Sequence, residues 1–316
     1  MVFLSKLLRN NLSQQKEHFM TKTFTGVHWM LATPFLDDEE VDVNSISNLM
    51  EKAYSSRCEG VVVLGVTGES ARLTDEERQI ITKEVINNAN GLSVTVGTTA
   101  ASTKSTIKYS QEAEKLGASA VMISAPPMGK PNLGALLTHY EKIAECIDIP
   151  IVVQDYPQTS GVHMPPQFIS QLAEKIPQVI YLKLEDPPTP SKITAIRNLT
   201  GDKLSIFGGL GGVFLLDELN RGSSGAMTGF AYPEVLVDIY TNVAKGDLQE
   251  AENIFFKYLP MLLFEFQEGI GISIRKYALH NRGLISSYRV RHPGPELSQE
   301  TKDEFHDLLT KLEVPY

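Results

Sequence analysis

Cysteine is scarce. Cys58 and Cys146 are the only two, and neither sits in a CxxC pair or a metal-ligand spacing. A disulfide framework is excluded, and a reducing compartment such as the cytoplasm is expected. No run of 18 apolar residues occurs, so no membrane span is expected. The seven histidines form no HExxH or other zinc pattern, so no metal site is expected either. No GxGxxG follows the first strand, which weakens a Rossmann reading. Positive charge is the minority sign, with 29 Lys and Arg against 38 Asp and Glu and a net charge of −9. That balance disfavours nucleic acid and anionic membrane as partners, although it also serves plain solubility.

What is present is a chain of 316 residues, 42% hydrophobic, long enough for one large α/β barrel or two smaller domains. The opening MVFLSKLLRNNLSQQKEHF is basic, with one Glu and a short apolar run. It lacks the longer apolar core and cleavage site of a secretory signal. Residues 1–23 are read as an N-terminal extension outside the fold.

Beyond it, short β-branched runs alternate with amphipathic stretches. Strands are expected at His28–Thr33, Gly60–Leu64, Ser93–Thr98, Ala120–Ser124, Pro150–Gln154, Val179–Glu185, Leu204–Phe207 and Gly225–Thr228. Helices are expected at Val43–Ser55, Asp75–Asn88, Lys104–Leu116 and Leu133–Cys146, the second opened by the capping box Thr74–Glu77. Eight strands in strict alternation predict a (β/α)8 TIM barrel over residues 24–245. From Pro233 the pattern is nearly all helical. Residues 246–316 are read as an appended helical subdomain of about three helices packed on the barrel.

Lys183 interrupts the apolar run Val179-Ile180-Tyr181-Leu182-Lys183-Leu184-Glu185. Two readings are open. A lysine at a strand end can snorkel to solvent. Alternatively, burial disfavours its charge, and a neutral amine attacks a ketone to form a Schiff base. Chemistry in such barrels gathers at the C-terminal strand ends. Alternation along a strand places Glu185 on the face of Lys183, and Gln154 and Tyr156 together on the preceding strand, with Asp155 turned away as a structural residue. Gly65-Val66-Thr67-Gly68-Glu69-Ser70 follows the second strand and reads as a carboxylate-binding turn or as a plain turn. Gly208-Gly209-Leu210-Gly211-Gly212 reads as a phosphate site, as space for substrate, or as a tight turn. Arg289-Val290-Arg291-His292 reads as an anion site or a solvated basic patch.

Together these residues resemble the dihydrodipicolinate synthase/N-acetylneuraminate lyase superfamily of class I aldolases over roughly residues 24–313. The carriers are Thr33-Pro34-Phe35, the GVTGES turn, Pro157 with Gly161, Lys183, the 208–212 glycines and Gly225-Ala226-Met227-Thr228. The resemblance implies that Lys183 is the Schiff-base lysine and that Val66, Thr67 and Gly68 hold the substrate carboxylate. It also puts the Met227 carbonyl beside the lysine, and Gln154, Thr159 and Gly208 among the substrate-binding residues. Four positions depart from the synthase branch. Gln154 replaces its tyrosine, Val66 the first threonine of GTTGE, Met128 the tyrosine lent across a subunit interface, and Thr159 an arginine. Valine and methionine relay no protons. QDYP at 154–157 and KLEDP at 183–187 instead resemble the 2-keto-3-deoxy sugar-acid dehydratase/aldolase branch.

The expectation is a lyase, dehydratase or aldolase, for a small 2-oxo acid, with Lys183, Glu185 and Tyr156 as catalytic candidates. No organic cofactor is expected, because the lysine itself is the electron sink. The alternatives are 4-hydroxy-tetrahydrodipicolinate synthase using pyruvate and a non-catalytic 2-oxo-acid-binding homologue. The resemblance also implies a homo-dimer or homo-tetramer.

Overall fold

The computed structural model describes residues 23–314, so the expected extension over residues 1–23 lies outside it but for its last residue. Eight strands close into one parallel barrel in chain order, with the first paired to the last. They are β1 (Gly26–Met30), β2 (Gly60–Val63), β3 (Ser93–Gly97), β4 (Ala120–Ser124), β5 (Ile151–Asp155), β6 (Val179–Leu184), β7 (Ser205–Gly208) and β8 (Gly225–Thr228). Alternation splits each strand between two cores. Met30, Val62, Ala120, Met122, Val152, Tyr181, Phe207 and Met227 fill the barrel interior. The other parity (Val61, Val63, Val121, Ile123, Val153, Leu182, Leu184, Ile206) packs outward against the helices. Below the interior layer Phe24 stacks on Tyr181, with centroids 4.4 Å apart and planes at 6°. This plugs the N-terminal end, so the barrel is a packed core with its open mouth on the other side.

The helices are α1 (Val43–Ser55), α2 (Asp75–Asn87), α3 (Thr103–Leu116), α4 (Leu133–Ala144), α5 (Pro157–Ser160), α6 (Pro166–Lys175), α7 (Thr189–Thr200), α8 (Leu215–Asn220) and α9 (Pro233–Lys245), followed by α10 (Leu248–Glu265), α11 (Gly271–Asn281) and α12 (Gln299–Leu312). The Thr74–Glu77 capping box is formed in both directions, satisfying two otherwise orphan donors at the start of α2. Gly117 ends α3 at φ 105°, a conformation that favours glycine. None of the helices of residues 23–314 is long and apolar enough to cross a membrane.

Most strands differ from the sequence reading by a residue or two at an end, and the first and sixth bear on the site. The first strand begins and ends earlier than His28–Thr33, because the Thr33 hydroxyl leaves the sheet to donate to the Gly68 carbonyl at 2.7 Å. The sixth strand stops at Leu184, although the Glu185 N–H still donates to the Asp155 carbonyl at 2.9 Å, which keeps the alternation for one residue more.

The three helices after α9 join the outer core through Phe255, Met261, Leu262, Ile274, Leu279, Phe305 and Leu309. They also reach the mouth. Glu265 at the end of α10 accepts the Ala231 N–H just after β8. On α11, Lys276 pairs with Glu69 at 2.5 Å, both side chains wholly buried. The appended layer is therefore bolted to the turn that follows β2.

Candidate active site

Lys183 is 2% exposed, and on β6 it lies between Gln154 of β5 and Phe207 of β7. It does not snorkel. Its Nζ stands 3.1 Å from Glu185 Oε2 and 2.8 Å from the Met30 sulfur. The Gln154 amide donates to the same Glu185 oxygen at 2.7 Å. Burial pushes the lysine below its ordinary pKa while the Glu185 charge resists, and burial pushes the Glu185 carboxyl up while Lys183 resists. Both groups are thus biased toward neutral forms: a nucleophilic amine and a carboxyl able to exchange a proton.

Space for this pair comes from Gly209. A Cβ there would lie 2.4 Å from Glu185 Cγ and 2.8 Å from Lys183 Cε. Gly208, the sequence candidate, faces the other way: a Cβ on it would strike the Glu218 carboxyl at 1.7 Å. With Phe207 inward, its neighbour must turn outward, so Gly209 replaces Gly208 as the residue beside the lysine. Glu218, on α8, accepts the Thr189 hydroxyl at 2.5 Å, and burial raises its pKa to about 7.

Tyr156 caps the start of α5 and is half-buried. Burial raises its pKa first, and the charge of Glu185 second. Its hydroxyl makes no hydrogen bond to Lys183 or Glu185, so the structure does not join it to the pair. Thr159 is exposed, and its hydroxyl turns back to the Tyr156 carbonyl at 3.2 Å. Asp155 points outward and holds Lys192 Nζ at 2.5 Å, the structural role that its parity implies. Met128 is half-buried after β4 and packs on the outer core. Met227 is fully buried in the interior layer.

At the 65–70 turn, Gly68 and Glu69 donate to the carbonyls of Gly65 and Val66 at 3.1 and 3.0 Å. The N–H groups of Val66 and Thr67 take no part in these bonds and are the turn's available backbone donors. Val66 is 44% exposed and Thr67 8%. Sequence reasoning missed two residues here, Met30 and Arg275. Arg275 of α11 donates to the Thr67 hydroxyl oxygen at 3.3 Å. A lone arginine on a helix gives no sequence signal of burial. Arg289 pairs with Glu296, and Arg291 with Glu77, which makes the 289–292 segment structural. Arg289 and Glu296 also line a separate cavity of about 400 Å³ that includes none of the site residues.

The model of the dihydrodipicolinate synthetase family matches residues 23–312. The chain belongs to this family. It is 30% identical to an L-2-keto-3-deoxyarabonate dehydratase of Azospirillum brasilense, over 93% of this chain and 96% of the relative. It is equally 30% identical to a 4-hydroxy-tetrahydrodipicolinate synthase of Methanospirillum hungatei, over 92% of this chain and all of that one. Among solved structures, a dihydrodipicolinate synthase from Rhodopseudomonas palustris superposes with a TM-score of 0.87 at 36% identity, over 91% of this chain and 97% of that one. As a member of the family the protein is a lyase.

Proposed function

We propose that this lyase dehydrates a 2-keto-3-deoxy sugar acid through a Schiff base on Lys183. The observation that carries the reading is the Glu185 carboxylate, 3.1 Å from the buried amine and fixed by Gln154. Neutral Lys183 attacks C2 of the 2-oxo acid, and the carbinol hydroxyl leaves as water with the proton of the neutral Glu185 carboxyl, giving an iminium beside a Glu185 carboxylate. The iminium acidifies C3, and Glu185 takes that proton, leaving an enamine. The enamine expels the C4 hydroxyl, which leaves as water with the proton returned by Glu185. Hydrolysis of the resulting unsaturated iminium frees the lysine. The substrate carboxylate rests on the N–H groups of Val66 and Thr67.

The second reading, synthase chemistry with pyruvate, is supported by the relatives that carry that name. Against it stand Gln154, Val66 and Met128, none of which acts as an acid or base at neutral pH. A screen of 2-keto-3-deoxy sugar acids, scored for dehydrated product, pyruvate and aldehyde, separates dehydratase from aldolase. Formation of 4-hydroxy-tetrahydrodipicolinate from pyruvate, without sugar-acid turnover, would establish the synthase instead. Borohydride trapping without any turnover would leave a binding protein. A homo-dimer or homo-tetramer in the cytoplasm belongs to the same reading, and sedimentation velocity on the full chain tests its assembly.

A further inference from the structure

A 2-oxo acid brings a negative charge into a site that already holds Glu185. To attack, Lys183 must be neutral, so it cannot balance that charge. Arg275 is a positive charge near enough to push the Lys183 pKa down alongside burial. Arg275 is 8% exposed, and α11 aims it at the β2 turn. Its Nε donates to Glu265 Oε2 at 3.2 Å and its Nη1 to Thr67 Oγ1 at 3.3 Å, while Nη2 makes no hydrogen bond among the described residues. Glu265 is itself held by the Ala231 N–H, which fixes the guanidinium from behind.

Gly229 shows how close this group comes to the chemistry. A Cβ there would lie 3.0 Å from Thr67 Cγ2, 3.1 Å from Arg275 Nη1 and 3.1 Å from the Met30 carbonyl oxygen. The side chain of the same Met30 touches Lys183 Nζ. Thr67 and Arg275 thus lie beside the backbone of Met30, whose side chain reaches the lysine. Val66 offers no side-chain donor there, and Thr67, already accepting from Arg275, keeps its O–H to donate.

We propose that Arg275, supplied by the appended helix α11, is the cation that receives the substrate carboxylate beside Thr67. This rests on the Schiff-base reading above. A guanidinium suits the role because it stays charged and presents a planar fork to a carboxylate.

The test compares pyruvate with its uncharged methyl ester in borohydride trapping, read by intact mass. The variant is Arg275→Met combined with Glu265→Gln, so that no buried carboxylate loses its partner and the Ala231 N–H keeps an acceptor. The half-saturating pyruvate concentration is expected to rise about 10- to 100-fold, the loss of one charge-assisted contact. The plateau of adduct and the half-saturation by methyl pyruvate should stay within a few-fold, and Arg275→Lys should recover part of the pyruvate affinity. Equal shifts for acid and ester, or no shift for either, would overturn the proposal. If the wild-type protein forms no adduct, the Schiff-base reading fails by itself. The carboxylate site is then read from the rise in thermal midpoint that pyruvate gives. A rise in the wild type that disappears in the double variant supports Arg275. A rise of equal size in both, or none in either, overturns it.

Discussion

Glu185→Gln separates the two halves of the proposed reaction. Glutamine is nearly isosteric with glutamate and keeps an oxygen for the Gln154 amide, now 2.7 Å from Glu185 Oε2. What disappears is a charge 3.1 Å from Lys183 Nζ and the group proposed to take the C3 proton. General acid–base groups contribute about 10²–10⁴-fold, or roughly 3–5 kcal/mol in the activation free energy of the reaction. Turnover of the sugar acid should fall by that factor. Schiff-base formation should survive, with a shifted pH dependence. Burial lowers the Lys183 pKa and the Glu185 charge opposes that fall. Removing the charge lets the pKa drop further, so more of the amine is neutral at a given pH. The acid limb of pyruvate trapping by borohydride should therefore move to lower pH. The assay is turnover and trapped adduct on one protein preparation, each across pH. Turnover within a few-fold of wild type, or an acid limb displaced upward, would refute the assignment of Glu185.

Other substitutions probe other parts of the site. Lys183→Arg should abolish both turnover and the trapped adduct, because a guanidinium does not deprotonate in a protein; intact mass after borohydride shows it. Gly209→Ala places a Cβ 2.4 Å from Glu185 Cγ, and overpacking of this kind destabilises by about 1–3 kcal/mol. Urea unfolding and turnover should both report it, with turnover falling further than stability alone explains. The Glu218 carboxyl, with its pKa raised to about 7 by burial, remains protonated in the folded chain after the unfolded chain has ionised. Stability is then lost as pH rises from about 4.5 to 7, by up to about 3 kcal/mol. Glu218→Gln should flatten that part of the pH–stability curve, and an unchanged slope would count against the shift.

Lys183 was legible because an apolar run makes a charged residue conspicuous, and a charge between Leu182 and Leu184 has one place to go. The alternation that put Glu185 on the same face held because its N–H stays in the ladder with Asp155 for one residue past the strand. Where that ladder ends, the parity argument ends too. Tyr156 already begins α5, and its hydroxyl is not joined to the lysine. Gly208 came from the family resemblance; β7 runs through it and turns it outward, so the glycine beside the lysine is Gly209. Arg275 left no trace in the sequence, since its partner Thr67 is 208 residues away and only the docking of α11 brings them together.

Arg275 and Lys276 are consecutive, yet they grip two points of one turn, Thr67 and Glu69. The second grip is wholly dry, and Lys276 also lies 4.2 Å above the Phe35 ring. Pulling such a pair apart costs about 3–5 kcal/mol when one charge is left stranded. The β2 turn is therefore clamped rather than hinged. The unbonded N–H groups of Val66 and Thr67 are thus held in position before any ligand arrives, so they need no ordering on binding.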